Sequence, residues 1–325
     1  MRIVMMGTGT FAEPTLETLL ASRHSVVGLV TQPDRAVGEK RGSTRQVGKG
    51  MKEIVLERGI PVHQPESINT PEAVATIRGL NPDLLVVAAY GQILSRDLLG
   101  AVRLGGINVH ASLLPKYRGA APVAWAIMNG DTETGVCIIR MSVALDAGDI
   151  LAREVVAIDP DETAGELEFR LGPIGAKLAV ATVDRLEAGV VVGVPQDKTL
   201  ATKAPKLTKE MGVIDWTKPA TAVWNQIRAM QPWPTPFTFL HRPGQPPLRV
   251  IVSRAKATDA PSLALEPGTV GIDANAKHLY VRCGANTAVE VAEIQPAGKR
   301  RMNAIDFLRG NALPPGSRFG PEAAS

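Results

Sequence analysis

The sequence predicts a doubly wound, Rossmann-like α/β fold with a mostly parallel sheet, followed by a smaller β-barrel of OB-like form. Three features predict it. Short apolar runs alternate with helical patterns through the first half of the chain: RIVMM, SVVGLVT, LLVVAAY, GGINVH and TGVCIIRM. That is the βαβ rhythm of a parallel sheet, and the runs are continuous, as expected when helices cover both faces. After Gly193 the texture becomes polar and Lys-rich, the mark of a linker. Beyond it, short strand patterns separated by Gly, Asp and Asn turns suit a small barrel.

In chain order, RIVMM is the first strand and FAEPTLETLLAS the helix that follows it. SVVGLVT is the second strand. Residues 35 to 52 then carry Arg35, Lys40, Arg41, Arg45, Lys49 and Lys52 against Glu39 alone. A loop this long and basic suits a polyanion contact, with an ordinary solvated loop as the alternative. The segment from Thr163 to Gly189 has apolar residues at helical spacing and stops at glycine, so it reads as a long helix closing the first domain. In the second part, TAVWNQIRAM is a single helix, and LRVIVSRA, GTVGI, HLYVRC and AVEVAEIQP are strands. The boundaries follow: a domain over 1–193, a linker over 194–205 and a barrel over 206–325.

At 325 residues, with 45% hydrophobic and 21% charged residues, the chain has the length and composition of two globular domains. The net charge of +4 is unevenly spread, −2 through residue 205 and +6 from residue 206 onward. Such asymmetry suits either a polyanionic partner, nucleic acid being the usual one, or a solvated basic face. Cys137 and Cys283 stand far apart in apolar runs, unlike a disulfide framework, which points to a reducing compartment. No run approaches the roughly 20 apolar residues that span a bilayer, and no leader precedes RIVMM, so a cytoplasmic location is expected.

Four motifs bear on chemistry. GTGTFA, Gly7 to Ala12, matches G-x-G-x-x-A between a strand and a helix, and Asp34 lies near the distance at which a dinucleotide fold places its ribose ligand. A tight turn without a nucleotide competes with that. In INVHASLLPKYRG, Asn108 and His110 stand two apart on a strand and project to one face. They lie at its carboxyl end, where open parallel sheets form their ligand crevice. An Asn amide and an imidazolium N–H aimed at one point suit an oxygen gaining negative charge in acyl transfer; strand capping is the alternative. In MSVALDAGDIL, Asp146 and Asp149 also follow a strand, so one carboxylate could meet His110, favouring its protonated ring and fixing its tautomer. The five histidines show no metal-ligand spacing, and no G-x-S-x-G elbow is present.

NVHASLLPKYRGAAP followed by LDAGD resembles the signature of the folate-dependent formyltransferases, whose members act on glycinamide ribonucleotide, amino sugars or initiator methionyl-tRNA. GTGTFA, VTQPDR, VVAAYGQIL, KLTKEMGVIDW, IRAMQPWPTPFT and IQPAGKRRMNAIDFLRG resemble the tRNA-directed branch over nearly the whole chain. The resemblance implies that Asn108, His110 and Asp146 are catalytic, and that Ser112, Leu113, Leu114 and Pro115 line the pocket of N10-formyltetrahydrofolate. It implies a metal-independent transfer to the α-amine of methionine on initiator tRNA by a monomer. For the tRNA it suggests contacts at Lys40, Arg41, Arg45, Lys206, Lys299, Arg300 and Arg301. The run after PDR departs from its relatives, which usually carry a Gly-Arg-Gly-Lys type run and a Ser-Pro pair. An amino-sugar formyltransferase with the same donor, or a nicotinamide-dependent oxidoreductase built on GTGTFA and Asp34, would be the alternative activity.

Overall fold

The structure, a computed structural model, describes residues 1–34, 50–258, 266–272 and 278–322. Most of the basic loop, including Lys40, Arg41 and Arg45, lies outside the described residues. The chain divides into two compact units: Met1–Val123 with Glu133–Ile158 and Glu166–Lys206, and Ala124–Thr132 with Asp159–Gly165 and Leu207–Ser325.

The first unit is built on β1 (Arg2–Gly7), β2 (Ser25–Val30), β3 (Val62–His63), β4 (Leu84–Ala88), β5 (Gly106–His110), β7 (Glu133–Arg140) and β8 (Ile150–Ala157) in the order β3-β2-β1-β4-β5-β7-β8. The short β6 (Arg118–Gly119) pairs apart from this sheet with β9 (Lys203–Ala204). The strands from β3 to β5 run parallel, with Val4 beside Leu85 and Val87 beside Asn108. β7 and β8 turn antiparallel and close one edge. Burial explains the unbroken apolar runs, since Ile3 to Met6 and Leu84 to Val86 are wholly inaccessible.

The helices of the first half are α1 (Glu13–Leu20), α2 (Met51–Leu56), α3 (Pro71–Gly79), α4 (Arg96–Gly100) and α5 (Pro122–Met128). Hydroxyl caps start two of them: Thr70 accepts from the Ala73 N–H and Ser95 from the Leu98 N–H. The long helix α6 (Ala164–Glu187) matches the periodic segment, and Gly189 beyond it takes a positive φ of 72°. GTGTFA is a strand-to-helix turn with a packing reason for its first glycine: a Cβ on Gly7 would lie 2.7 Å from the Ala12 Cβ and 2.9 Å from the Ala88 carbonyl.

The second unit holds α7 (Ala220–Ala229), β10 (Phe237–His241), β11 (Leu248–Thr258), β12 (Val270–Ile272), β13 (Leu279–Arg282), β14 (Ala288–Pro296), β15 (Met302–Asn303), α8 (Ala304–Gly310) and β16 (Arg318–Gly320). The antiparallel order is β12-β13-β14-β11-β10-β16, with β15 on β14. An isolated bridge from Thr269 to Arg318 joins its two end strands, so the sheet curls into a nearly closed barrel. Trp216, Val223, Ile227, Leu240, Val252, Val281, Phe307 and Phe319 fill its interior. The sequence pattern did not mark the strands β10, β15 and β16, nor the helix α8. The helix follows Asn303, whose side chain caps the Asp306 N–H, and buries Phe307 completely. At seven residues it is too short for periodicity to stand out. Among the described residues no helix is long and apolar enough to cross a membrane.

Candidate active site

β5 delivers Asn108 and His110 to the carboxyl edge of the sheet, where His110 stands opposite Cys137 of β7. The chain then bends through ASLLPKYRG. Ser112 Oγ donates to the Lys116 carbonyl at 2.7 Å, and Leu114 packs with Cys137 and Ile139. Ser112 and Leu114 are thus buried inside the bend, while Leu113 and Pro115 are half-buried.

The bend places Tyr117, Arg118 and Gly119. Tyr117 takes a left-handed φ of 64°, a conformation that disfavours bulky residues. In it the Tyr117 N–H donates to Thr202 Oγ1 at 2.9 Å, and its carbonyl faces His110 Nε2 at 3.0 Å. A carbonyl only accepts, so this network assigns the hydrogen to Nε2. That leaves Nδ1 facing a carboxylate.

The carboxylate is Asp146, on the turn after β7. Its φ is 48°, a left-handed value that Asp tolerates better than most residues. Two residues on, a Cβ at Gly148 would lie 1.7 Å from the Arg140 carbonyl, so only glycine lets this turn lie against β7. Asp146 Oδ2 accepts from the Gly119 N–H at 2.9 Å. Asp146 Oδ1 lies 3.4 Å from Asn108 Nδ2 and 3.7 Å from His110 Nδ1. The His110 and Asp146 side chains are 5% and 10% exposed, which strengthens each of these interactions. Asn108 Nδ2 and His110 Nδ1, the second a donor when the ring is protonated, thus face one anionic oxygen, both at distances longer than an optimal hydrogen bond.

Asn108, His110 and Asp146 come together, as the positions of the first two at a strand end and of the third after a strand suggest. Asp149 does not join them; its side chain lies against Gly193. The support around them is not visible in the sequence pattern. Gln196, in the stretch read as a linker, donates Nε2 to the carbonyls of Asp146 and Gly148 at 2.8 and 2.7 Å. It accepts from Arg118 Nε and a terminal nitrogen at 3.1 and 2.7 Å.

The other candidates fall elsewhere. Asp34 accepts from Lys52 Nζ at 2.5 Å and Gln64 Nε2 at 3.0 Å. Lys206 is exposed in the first unit. Lys299, Arg300 and Arg301 are exposed on the hairpin turn between β14 and β15, and Arg301 lies 3.8 Å from Glu293. Folding also gathers His24, Asp184 and Glu187, ligand types that sequence spacing did not connect. Arg23 pairs with both carboxylates, at 2.8 and 2.6 Å, and the Met1 amine with Glu187 at 2.8 Å, so their charge is already met.

Residues 1–183 match the family model described as formyl transferase, and residues 206–312 match that of the formyl transferase C-terminal domain. The chain is 46% identical to a methionyl-tRNA formyltransferase of Citrifermentans bemidjiense, over 100% of this chain and 98% of that protein. It is 44% identical to the Bacillus licheniformis protein of the same name, over 98% of each. Among solved structures, the sugar 3N-formyl transferase WlaRD, crystallised with dTDP and 5-N-formyl-THF, superposes with a TM-score of 0.65 at 16% identity, over 92% of this chain and 99% of that one. The N-formyltransferase from Helicobacter canadensis, in complex with folinic acid and dTDP-3-aminofucose, gives 0.65 at 15% identity, over 89% and 98%. At those identities the likeness is one of fold.

Proposed function

The chain belongs to the formyl transferase family, and from that premise we propose that it moves a formyl group from N10-formyltetrahydrofolate to the α-amine of methionine on initiator methionyl-tRNA. The observation that carries this proposal is the convergence of Asn108 Nδ2 and His110 Nδ1 on one oxygen of Asp146, in a chain 46% identical end to end to an enzyme named for that reaction. A formyl donor fits this donor set. Two N–H groups meet the demand of a carbonyl oxygen that becomes an oxyanion.

The amine lone pair attacks the formyl carbon, and the carbonyl electrons move onto oxygen, where Asn108 and the protonated His110 stabilise them. Asp146 sits beside the same point and takes the proton that the attacking nitrogen sheds, directly or through a water. Collapse of the intermediate breaks the bond to N10, which takes up the proton held by Asp146 as it leaves, directly or through a water. Tyr117 and Gly119 act through the backbone, the first orienting the imidazole and the second holding Asp146. Leu113 and Pro115 offer the accessible surface of the bend to the folate, with Ser112 and Leu114 fixing its shape.

The domain over residues 1–193 does the chemistry, and the basic part from 206 onward, net +6, holds the tRNA through Lys299, Arg300 and Arg301, joined by Lys206 and by Lys40, Arg41 and Arg45 of the loop. Such a division suits a monomeric, cytoplasmic enzyme. The test is a formyl-transfer assay with N10-formyltetrahydrofolate and charged initiator tRNA. Formylmethionyl-tRNA is the expected product, and transfer only to a nucleotide amino sugar would refute the assignment.

A further inference from the structure

We infer that Gln196 is a positioning residue for the transfer step, one side-chain amide that sets Asp146 in register with Asn108 and His110; the inference rests on the formyl-transfer activity proposed above. Its hydrogen-bonding capacity is used in full. Both Nε2 hydrogens go to carbonyls of the Asp146 turn, at Asp146 and Gly148. Both lone pairs of Oε1 receive Arg118, through Nε and a terminal nitrogen. Carbonyls need a donor and a guanidinium needs an acceptor, so the amide has one orientation.

What Gln196 joins matters more than the number of bonds. Arg118 lies between Tyr117, whose carbonyl orients His110, and Gly119, whose N–H holds Asp146 Oδ2. Asp146 keeps a left-handed backbone, and such a conformation persists only where its surroundings over-determine it. The amide supplies that determination from outside the turn. Gln196 is itself anchored on both sides, by the Val194 bridge to Ile150 and by the pairing of β9 with β6. The stretch read from sequence as a linker is therefore a brace for the site. The Gln196 amide touches none of Asn108, His110 or the Asp146 carboxylate, so its effect on the reaction runs through position.

Gln196→Glu removes both donors to the turn and keeps an acceptor for Arg118. Gln196→Met keeps the volume and removes every polar atom. Each is compared with wild type in steady state and in a single turnover, with thermal melting as the fold control. The expected result is kcat lowered between about tenfold and about a hundredfold, the range a small misplacement of a reacting group produces. KM for methionyl-tRNA should change less than about twofold, since uniform binding is untouched. In an Asp146→Asn background, Gln196→Glu should add no further loss in the single-turnover rate, because its effect passes through that carboxylate.

Unchanged kcat in a folded Gln196→Glu protein overturns the inference, as does a full additional loss on top of Asp146→Asn. Failure of both Gln196 variants to fold overturns it in favour of a purely structural role. Absence of transfer by the wild-type protein removes the activity itself, and with it the step Gln196 would serve. An active wild type with an indifferent Gln196 removes this inference alone.

Discussion

The Gly119 N–H donates to Asp146 Oδ2 at 2.9 Å, so a backbone amide from the bend after β5 holds the carboxylate that faces His110 from the turn after β7. Gly119 has a φ of 129°, and a Cβ there would meet the Ala204 carbonyl at 2.5 Å. Gly119→Ala should therefore push β6 from β9 and loosen Asp146. The expected outcome is a loss of about 1 to 3 kcal/mol in stability, as for other forced backbone strain. Formyl transfer should fall more than about tenfold, which melting curves and kcat will show.

Single replacement of Asn108, His110 or Asp146 should remove most activity and leave tRNA affinity largely intact. Loss of one oxyanion donor costs about 3 to 4 kcal/mol, or a factor of about a hundred to a thousand in rate. Kinetics together with filter binding separate the two effects. Full activity in a His110→Ala protein would sink the mechanism.

Charge reversal at Lys299, Arg300 and Arg301 should weaken tRNA binding while kcat at saturating tRNA holds. Every phosphate that is no longer neutralised should make the slope of log affinity against log salt shallower by about 1. An unchanged slope would place the tRNA elsewhere.

Asp83 stabilises the amino-terminal edge of β1. Its carboxylate accepts the Arg2 N–H at 2.8 Å and pairs with Arg103, and these interactions, the backbone one first, hold it below its ordinary value near 3.8. A depressed carboxylate contributes stability above that value and loses it as pH falls through the lower folded value. Asp83→Asn should cost no more than about 1 kcal/mol at pH 7, solvent screening being strong there. The difference from wild type should shrink below about pH 4; melting across pH reads both.

Cys137 and Cys283 are buried free thiols, and burial pushes them up to about 11 and about 12. At pH 8 neither should react with a thiol reagent on the timescale on which both react in denaturant, since the thiolate is the reacting form. Rapid labelling of either in the folded protein would contradict its burial.

The local pattern of the chain determined five strands of the first sheet, the long helix α6 and four strands of the barrel, because apolar runs, turns and stops are set by neighbours in sequence. It also determined that Asn108 and His110 share a face, since strand periodicity alone dictates that. Tertiary structure decided the rest. The antiparallel turn of β7 and β8, the approach of Asp146 to His110, and the brace from Gln196 join residues distant in sequence, through backbone groups that are alike at every residue. A Tyr117 carbonyl or a Gly119 N–H carries no signature in its letter; only closure of the chain aims it. For the same reason residues 194–205 read as a linker from composition, while hydrogen bonds between distant backbones make them part of the site's frame.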